Sequence, residues 1–125
     1  MSLSNEETMR SFLALWSARE AKAMVEYFAE DGVYDNVPAK SPMVGHGAIQ
    51  EWLDMCFQHL TRIDVGILNI ASNGEWILSE RLDDHITGDH HMPLPVMNVS
   101  RIVDGKITIF RDYYDRQTVT ELGMG

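Results

Sequence analysis

The order of elements along these 125 residues predicts an α+β fold, with a curved sheet wrapped round helices. Three observations lead there. Apolar residues recur at helical spacing through the N-terminal half. From residue 63 onward the pattern changes to strand-length runs. Those runs are separated by Asn73-Gly74, Thr87-Gly88-Asp89 and Asp104-Gly105, and Asn-Gly and Asp-Gly are strong hairpin signals. No repeat, linker or low-complexity tract interrupts the chain, and its length suits one domain over residues 1–125.

The elements follow in order. Ser4 is a plausible N-cap with Glu7 three residues later, opening a helix that carries Phe12, Leu13, Leu15 and Trp16 inward. A second helix is expected over 21–28, with Met24, Tyr27 and Phe28 on one stripe and Asp31-Gly32 ending it. Residues 33–37 then read as a short strand stopped by Pro38. Residues 38–47 hold two prolines and two glycines and read as a loop. A third helix is expected over 48–60, with Ile49, Trp52, Leu53, Cys56, Phe57 and Leu60 inward. Strands are expected over 63–72, 75–86, 92–103 and 106–119. Trp16, Trp52 and Trp76 read as core anchors.

Composition narrows the partners. With ten basic and nineteen acidic residues, the formal charge of -9 repels nucleic acid and acidic membranes alike. No apolar run approaches the roughly 20 residues that cross a bilayer. The N-terminus lacks the basic start and apolar segment of a signal peptide. A single cysteine, Cys56, has no internal disulfide partner and sits in an apolar run, which suits an inert buried thiol and a reducing cytoplasm.

A few polar residues sit oddly in this scheme. Tyr34 and Asn36 are two apart on one strand and so share a face; so do Arg81 and Asp83 on another. Asp112 falls between Phe110 and Tyr114, and a carboxylate among aromatics is costly unless paired. Arg81 is a candidate cation for it. Face assignment is open: Trp76, Leu78 and Leu82 lie opposite Arg81 and Asp83, and alternation alone makes that apolar face the buried one. Taken singly, Arg81 and Asp83 also read as a surface ion pair, and Tyr34 and Asn36 as strand-end and turn residues.

Together these pieces resemble a known family. Tyr34-x-Asn36, Arg81-x-Asp83 and the run from Arg111 to Asp115 stand in the order and approximate spacing of the limonene epoxide hydrolases. The stretches Glu26 to Asp31, Asn36-Val37-Pro38, Ser72-Asn73-Gly74 and Gly105 to Thr108 are similar as well, so the likeness runs from about residue 6 to 119. It implies a cone-shaped fold of the nuclear transport factor 2-like (SnoaL-like) kind. It also implies a homodimer without metal or organic cofactor, and one-step addition of water to a small, mostly apolar epoxide to give a vicinal diol. By that resemblance Asp112 is the general base, Tyr34 and Asn36 hold the water with it, Asp83 is the general acid, and Arg81 bridges the two carboxylates.

Tyr114, Phe110, Met97 and Met24 are the expected pocket residues, with Tyr114 adding a hydroxyl where the family pattern has an apolar aromatic. Sister chemistries of the same fold (a ketosteroid isomerase, dehydratase or polyketide cyclase) and a non-enzymatic ligand-binding module remain alternatives. His85, Asp89, His90 and His91 invite a metal reading, but no cysteine is near and a polar hairpin tip explains them as well.

Overall fold

A computed structural model describes residues 4–121; the Met1-Ser2-Leu3 start lies outside them. Helix α1 (Asn5–Ala18) is capped by Ser4, whose Oγ accepts from the Glu7 N–H at 3.1 Å and donates to the Glu7 carboxylate. It buries Met9, Phe12, Leu13 and Trp16. A short α2 (Ala21–Val25) follows. Then come β1 (Phe28–Asn36), a 3₁₀ turn (Val37–Ala39), β2 (Met43–Val44) and α3 (His46–His59). The meander β3 (Arg62–Asn73), β4 (Trp76–Thr87), β5 (His90–Val103) and β6 (Lys106–Tyr113) completes the sheet, and α4 (Arg116–Glu121) closes the described chain.

The six strands form one sheet in the order β2-β1-β6-β5-β4-β3. Only β1 and β6 run parallel; the other pairs are antiparallel. The helices pack on the concave face. Phe12 meets Phe28 and Phe110 edge-on at 5.5 and 5.3 Å between ring centroids, so α1, β1 and β6 share one aromatic core. The Arg19 guanidinium donates to the Phe57 and Thr61 carbonyls, tying the end of α1 to the end of α3. The hairpins fall at the sequence signals. Val103 faces Lys106 across Asp104 and Gly105, both at positive φ, as a type I′ turn requires.

Three boundaries differ from the sequence expectation. The second helix stops at Val25, and β1 begins at Phe28 rather than at residue 33. Asp31-Gly32 therefore lies inside a strand, where the register against β6 shifts between Phe28 and Val33. A Cβ on Gly32 would stand 2.9 Å from both the Ala29 and Ile107 carbonyl oxygens, so glycine is needed there for close backbone approach. The 38–47 loop holds β2, which pairs with Val33 and Tyr34. The last strand ends at Tyr113, not 119. Asp115 receives the Gln117 N–H (3.2 Å) and the Thr118 hydroxyl (2.8 Å), which turns the chain into α4.

Face assignment reverses the alternation reading. Ile77, Ser79, Arg81 and Asp83 point into the molecule and are buried, while Leu78 and Leu82 are exposed on the outer face. Trp76 shares that outer face, with the Arg111 guanidinium 5.6 Å from its ring centre, and is no core anchor.

Candidate active site

Arg81 occupies the middle of the concave face at 2% exposure. Its Nε and Nη2 donate to the Asp83 carboxylate at 3.0 and 2.9 Å. Its Nη1 and Nη2 donate to Asp112 at 2.9 and 3.0 Å. One planar guanidinium thus grips two carboxylates bidentately, which only its fork of donors allows. Strand pairing explains the reach: β5 lies between β4 and β6, so the long Arg81 side chain spans it from below. The guanidinium carbon sits 5.7 Å from the Phe110 ring centre. Burial alone pulls the Arg81 pKa down, but the Asp112 and Asp83 charges outweigh it and hold the group well above its ordinary value.

Asp112 is flanked by two asparagines. Asn36 stands opposite it on β1 and Asn98 opposite it on β5. The Asn98 amide donates to Asp112 Oδ1 at 2.7 Å, and the Ser100 hydroxyl donates to Asn98 Oδ1 at 2.5 Å; both residues are fully buried. Tyr34 lies two residues before Asn36, with its ring 4.7 Å from Phe110 and 4.9 Å from Trp52 between centroids. Burial first, and the Asp112 charge second, raise the Tyr34 phenol well above its ordinary pKa, so it is a neutral donor and acceptor. Among the described residues, neither the Tyr34 hydroxyl nor the Asn36 amide bonds a protein group.

Above these groups opens a cavity of about 620 Å³. Tyr34, Asn36, Asp83 and Asp112 form its polar floor; Trp16, Trp52, Leu60, Ile63, Leu94 and Val96 form apolar walls. Toward the rim lie His59, His85, Thr87, His90, Tyr114 and Arg116. Burial and then Asp112 raise the Tyr114 phenol pKa as well. Such a chamber can take a small apolar molecule and present it with a carboxyl pair, a phenol and an amide, while Arg81 stays behind the carboxyls and out of the lining.

The structure brings Tyr34, Asn36, Arg81, Asp83 and Asp112 together. Of the four expected pocket residues, only Tyr114 lines the cavity. Phe110 and Met24 are wholly buried in the core, where Phe110 carries the Arg81 guanidinium rather than a ligand. Met97 is 40% exposed on the outer face, one position out of phase with the inward Val96 and Asn98. The sequence reading missed Asn98 and Ser100, although they are polar residues inside the alternating run Leu94, Val96, Asn98, Ser100, Ile102. It also missed the rim position of His85 and His90. His91 instead pairs with Asp84 at 2.8 Å, and no metal-holding group of His, Cys, Asp or Glu occurs among the described residues.

Comparison with known proteins agrees with the geometry. The family model of the limonene-1,2-epoxide hydrolase catalytic domain matches residues 3–123. Epoxide hydrolase EphG of Mycobacterium tuberculosis (strain ATCC 25618 / H37Rv) is 33% identical over 86 residues, covering 69% of this chain and 56% of that protein, so the chain spans little more than half of that relative's length. The structure of an LEH-like epoxide hydrolase from M. tuberculosis superposes with a TM-score of 0.80 at 26% identity, covering 92% of this chain and 85% of that one. A hypothetical protein with a ketosteroid isomerase-like fold from Catenulispora acidiphila DSM 44928, in complex with trimethylamine, reaches 0.84 at 22% identity, covering 95% and 94%. That last likeness concerns the fold alone, which is of the nuclear transport factor 2-like, SnoaL-like kind. With the match running almost end to end over the strands that carry Tyr34, Arg81 and Asp112, the chain belongs to the limonene-1,2-epoxide hydrolase family.

Proposed function

We propose that this protein is an epoxide hydrolase that adds water to a small, mostly apolar epoxide in one acid–base step. The observation that carries the reading is Arg81 gripping Asp83 and Asp112 at the floor of an apolar-walled cavity, beside two polar groups without protein partners. An acid–base step needs one carboxyl as base and another as acid within reach of the same substrate, and Asp83 and Asp112 both line the cavity.

Water bound by the Tyr34 hydroxyl and the Asn36 amide gives a proton to Asp112 as its oxygen attacks a ring carbon. The carbon–oxygen bond of the ring breaks, and the leaving oxygen takes the proton of Asp83. Asp112 ends protonated and Asp83 ionised, so the net charge around Arg81 is unchanged and no covalent enzyme intermediate forms. Each proton transfer contributes about 10²–10⁴-fold in rate. Solvent reached through the rim takes the proton from Asp112 and supplies one to Asp83 before the next turnover. No metal or organic cofactor enters this scheme.

A panel of small cyclic epoxides, limonene oxide and cyclohexene oxide among them, scored for diol in ¹⁸O-labelled water, tests the reading. One labelled oxygen in the diol is expected, with Asp112→Asn and Asp83→Asn each abolishing turnover while ligand binding survives. Isomerised or cyclised product without solvent oxygen would instead identify a sister chemistry of the fold.

The same reading covers assembly and setting. Leu78, Leu82, Met97 and Tyr113 are each between 36% and 43% exposed on the outer face of the neighbouring strands β4, β5 and β6, and these apolar side chains support a homodimer across this face. Sedimentation of the purified protein checks it. No helix among the described residues is long and apolar enough to cross a membrane. One domain acting in the cytoplasm, with Cys56 reduced, is the setting we assign.

A further inference from the structure

The two aspartates are not equivalent, and the difference lies on β5. Asp83 accepts one hydrogen bond on each oxygen, both from Arg81. Asp112 accepts the same pair from Arg81 and a further one, at 2.7 Å, from the Asn98 amide. Oδ1 of Asp112 therefore holds two donors and has its lone pairs occupied, whereas Oδ2 holds one and keeps a lone pair free. The orientation of the amide is itself fixed. Ser100, on the same face of β5 two residues on, donates its hydroxyl to Asn98 Oδ1 at 2.5 Å, which leaves the nitrogen end of the amide facing the carboxylate. Neither Asn98 nor Ser100 lines the cavity, and both are fully buried, so they touch no substrate.

We infer that Asn98, oriented by Ser100, is a positioning residue that makes Asp112 the base of the pair and Oδ2 the atom that receives the proton. Hydrogen bonds to a carboxylate are charge-assisted, and Asp112 accepts three where Asp83 accepts two, so the geometry gives Asp112 the role of base and Asp83 that of acid. Saturating Oδ1 then confines proton transfer to one oxygen: a water O–H bond breaks toward Asp112 Oδ2, the water oxygen bonds the ring carbon, and the ring oxygen departs with the proton of Asp83. This inference rests on the hydrolase reading above and assigns the division of labour within that site.

Steady-state kinetics of diol formation from cyclohexene oxide tests it, with Ser100→Ala, Ser100→Thr, Asn98→Leu and the Asn98→Leu/Ser100→Ala double variant. Losing the hydroxyl that steers the amide lowers kcat about 3–10-fold, and losing the amide itself, a hydrogen bond to a charged group, about 10–100-fold. KM stays within about twofold in both, as befits a contact that acts through the base rather than on substrate. Ser100→Thr, which keeps the hydroxyl, retains wild-type kcat. The double variant is no slower than Asn98→Leu, because Ser100 acts only through the amide. Equal kcat in all variants, additive losses, or losses confined to thermal stability overturn the inference. Should wild type yield no diol from any epoxide, the hydrolase reading falls separately. Hydrogen exchange of the Asn98 side-chain amide by NMR then still decides the relay: protection lost in Ser100→Ala sustains it, and an unprotected wild-type amide overturns it.

Discussion

Replacing Arg81 by methionine keeps much of the side-chain length and removes the charge. Arg81 is 2% exposed and its four hydrogen bonds to Asp83 and Asp112 all measure 2.9–3.0 Å. The variant leaves the Asp83–Asp112 pair, 7% and 4% exposed, without the cation that compensates its negative charge. Removing one partner of a buried ion pair costs about 3–5 kcal/mol, most of it the penalty of stranding the other charge. With unfolding entropy near 2.1 cal/mol/K per residue, each kcal/mol lowers Tm by about 4 °C in a chain of 125 residues. The expected fall is about 11–19 °C at neutral pH. The triple variant Arg81→Met/Asp83→Asn/Asp112→Asn removes the stranded charges too and recovers most of that loss, although it is inactive. Thermal melts and urea unfolding with unchanged m-values read both. A loss below about 1 kcal/mol in the single variant, or a triple variant as unstable as the single, refutes the argument, since either means that the carboxylates do not depend on Arg81.

Other outcomes follow from single residues. Gly32→Ala forces a Cβ to within 2.9 Å of two backbone oxygens that cannot yield, and costs about 1–3 kcal/mol in urea unfolding; an unchanged midpoint contradicts the close approach. Burial pushes the Cys56 thiol from its ordinary 9.0 to about 12, so it resists thiol reagents at pH 8 until the chain unfolds. Because its folded value lies above its unfolded value, the stability that it contributes is complete below about pH 9 and lost as pH rises to about 12, which unfolding curves against pH for Cys56→Ala and wild type will separate. Tyr34→Phe lowers kcat about 10–100-fold through misplacement of the water. In wild type, the raised Tyr34 phenol imposes no alkaline fall in rate up to its ordinary value of 10.0, measured as kcat/KM against pH.

Local signals made much of the fold legible. The Ser4 cap, the apolar stripe of α3 and the glycine turns of the meander act over a few residues, and each stands where its chemistry demands. Non-local partners hid the rest. Phe28 to Gly32 read as the end of a helix because nothing nearby reveals Ile107, against whose carbonyl Gly32 packs across the parallel strand. Residues 114–119 read as strand because Asp115 declares itself a helix cap only through bonds to Gln117 and Thr118.

The site was half legible for a related reason. Alternation assigns strand faces by assuming that apolar side chains go inside, and β4 breaks that assumption from Leu78 to Asp83. Arg81 and Asp83 are inside because their charges and that of Asp112 compensate one another, while Leu78 and Leu82 stay outside. Each of those buried charges is unfavourable alone and tolerable only as a set, so no single position signals it. The informative pattern is the anomaly repeated on adjacent strands: Asn98 on β5 stands opposite Asp112 on β6 and Ser79 on β4, with Arg81 and Asp83 two and four residues along the same inward face of β4 and Ser100 two along that of β5. A buried polar group must find a partner, and polar interruptions that align across neighbouring strands supply one another. That argument needs the hairpin registers and also the bulge between Arg101 and Ile102, which moves Asn98 from a place opposite Arg111 to one opposite Asp112.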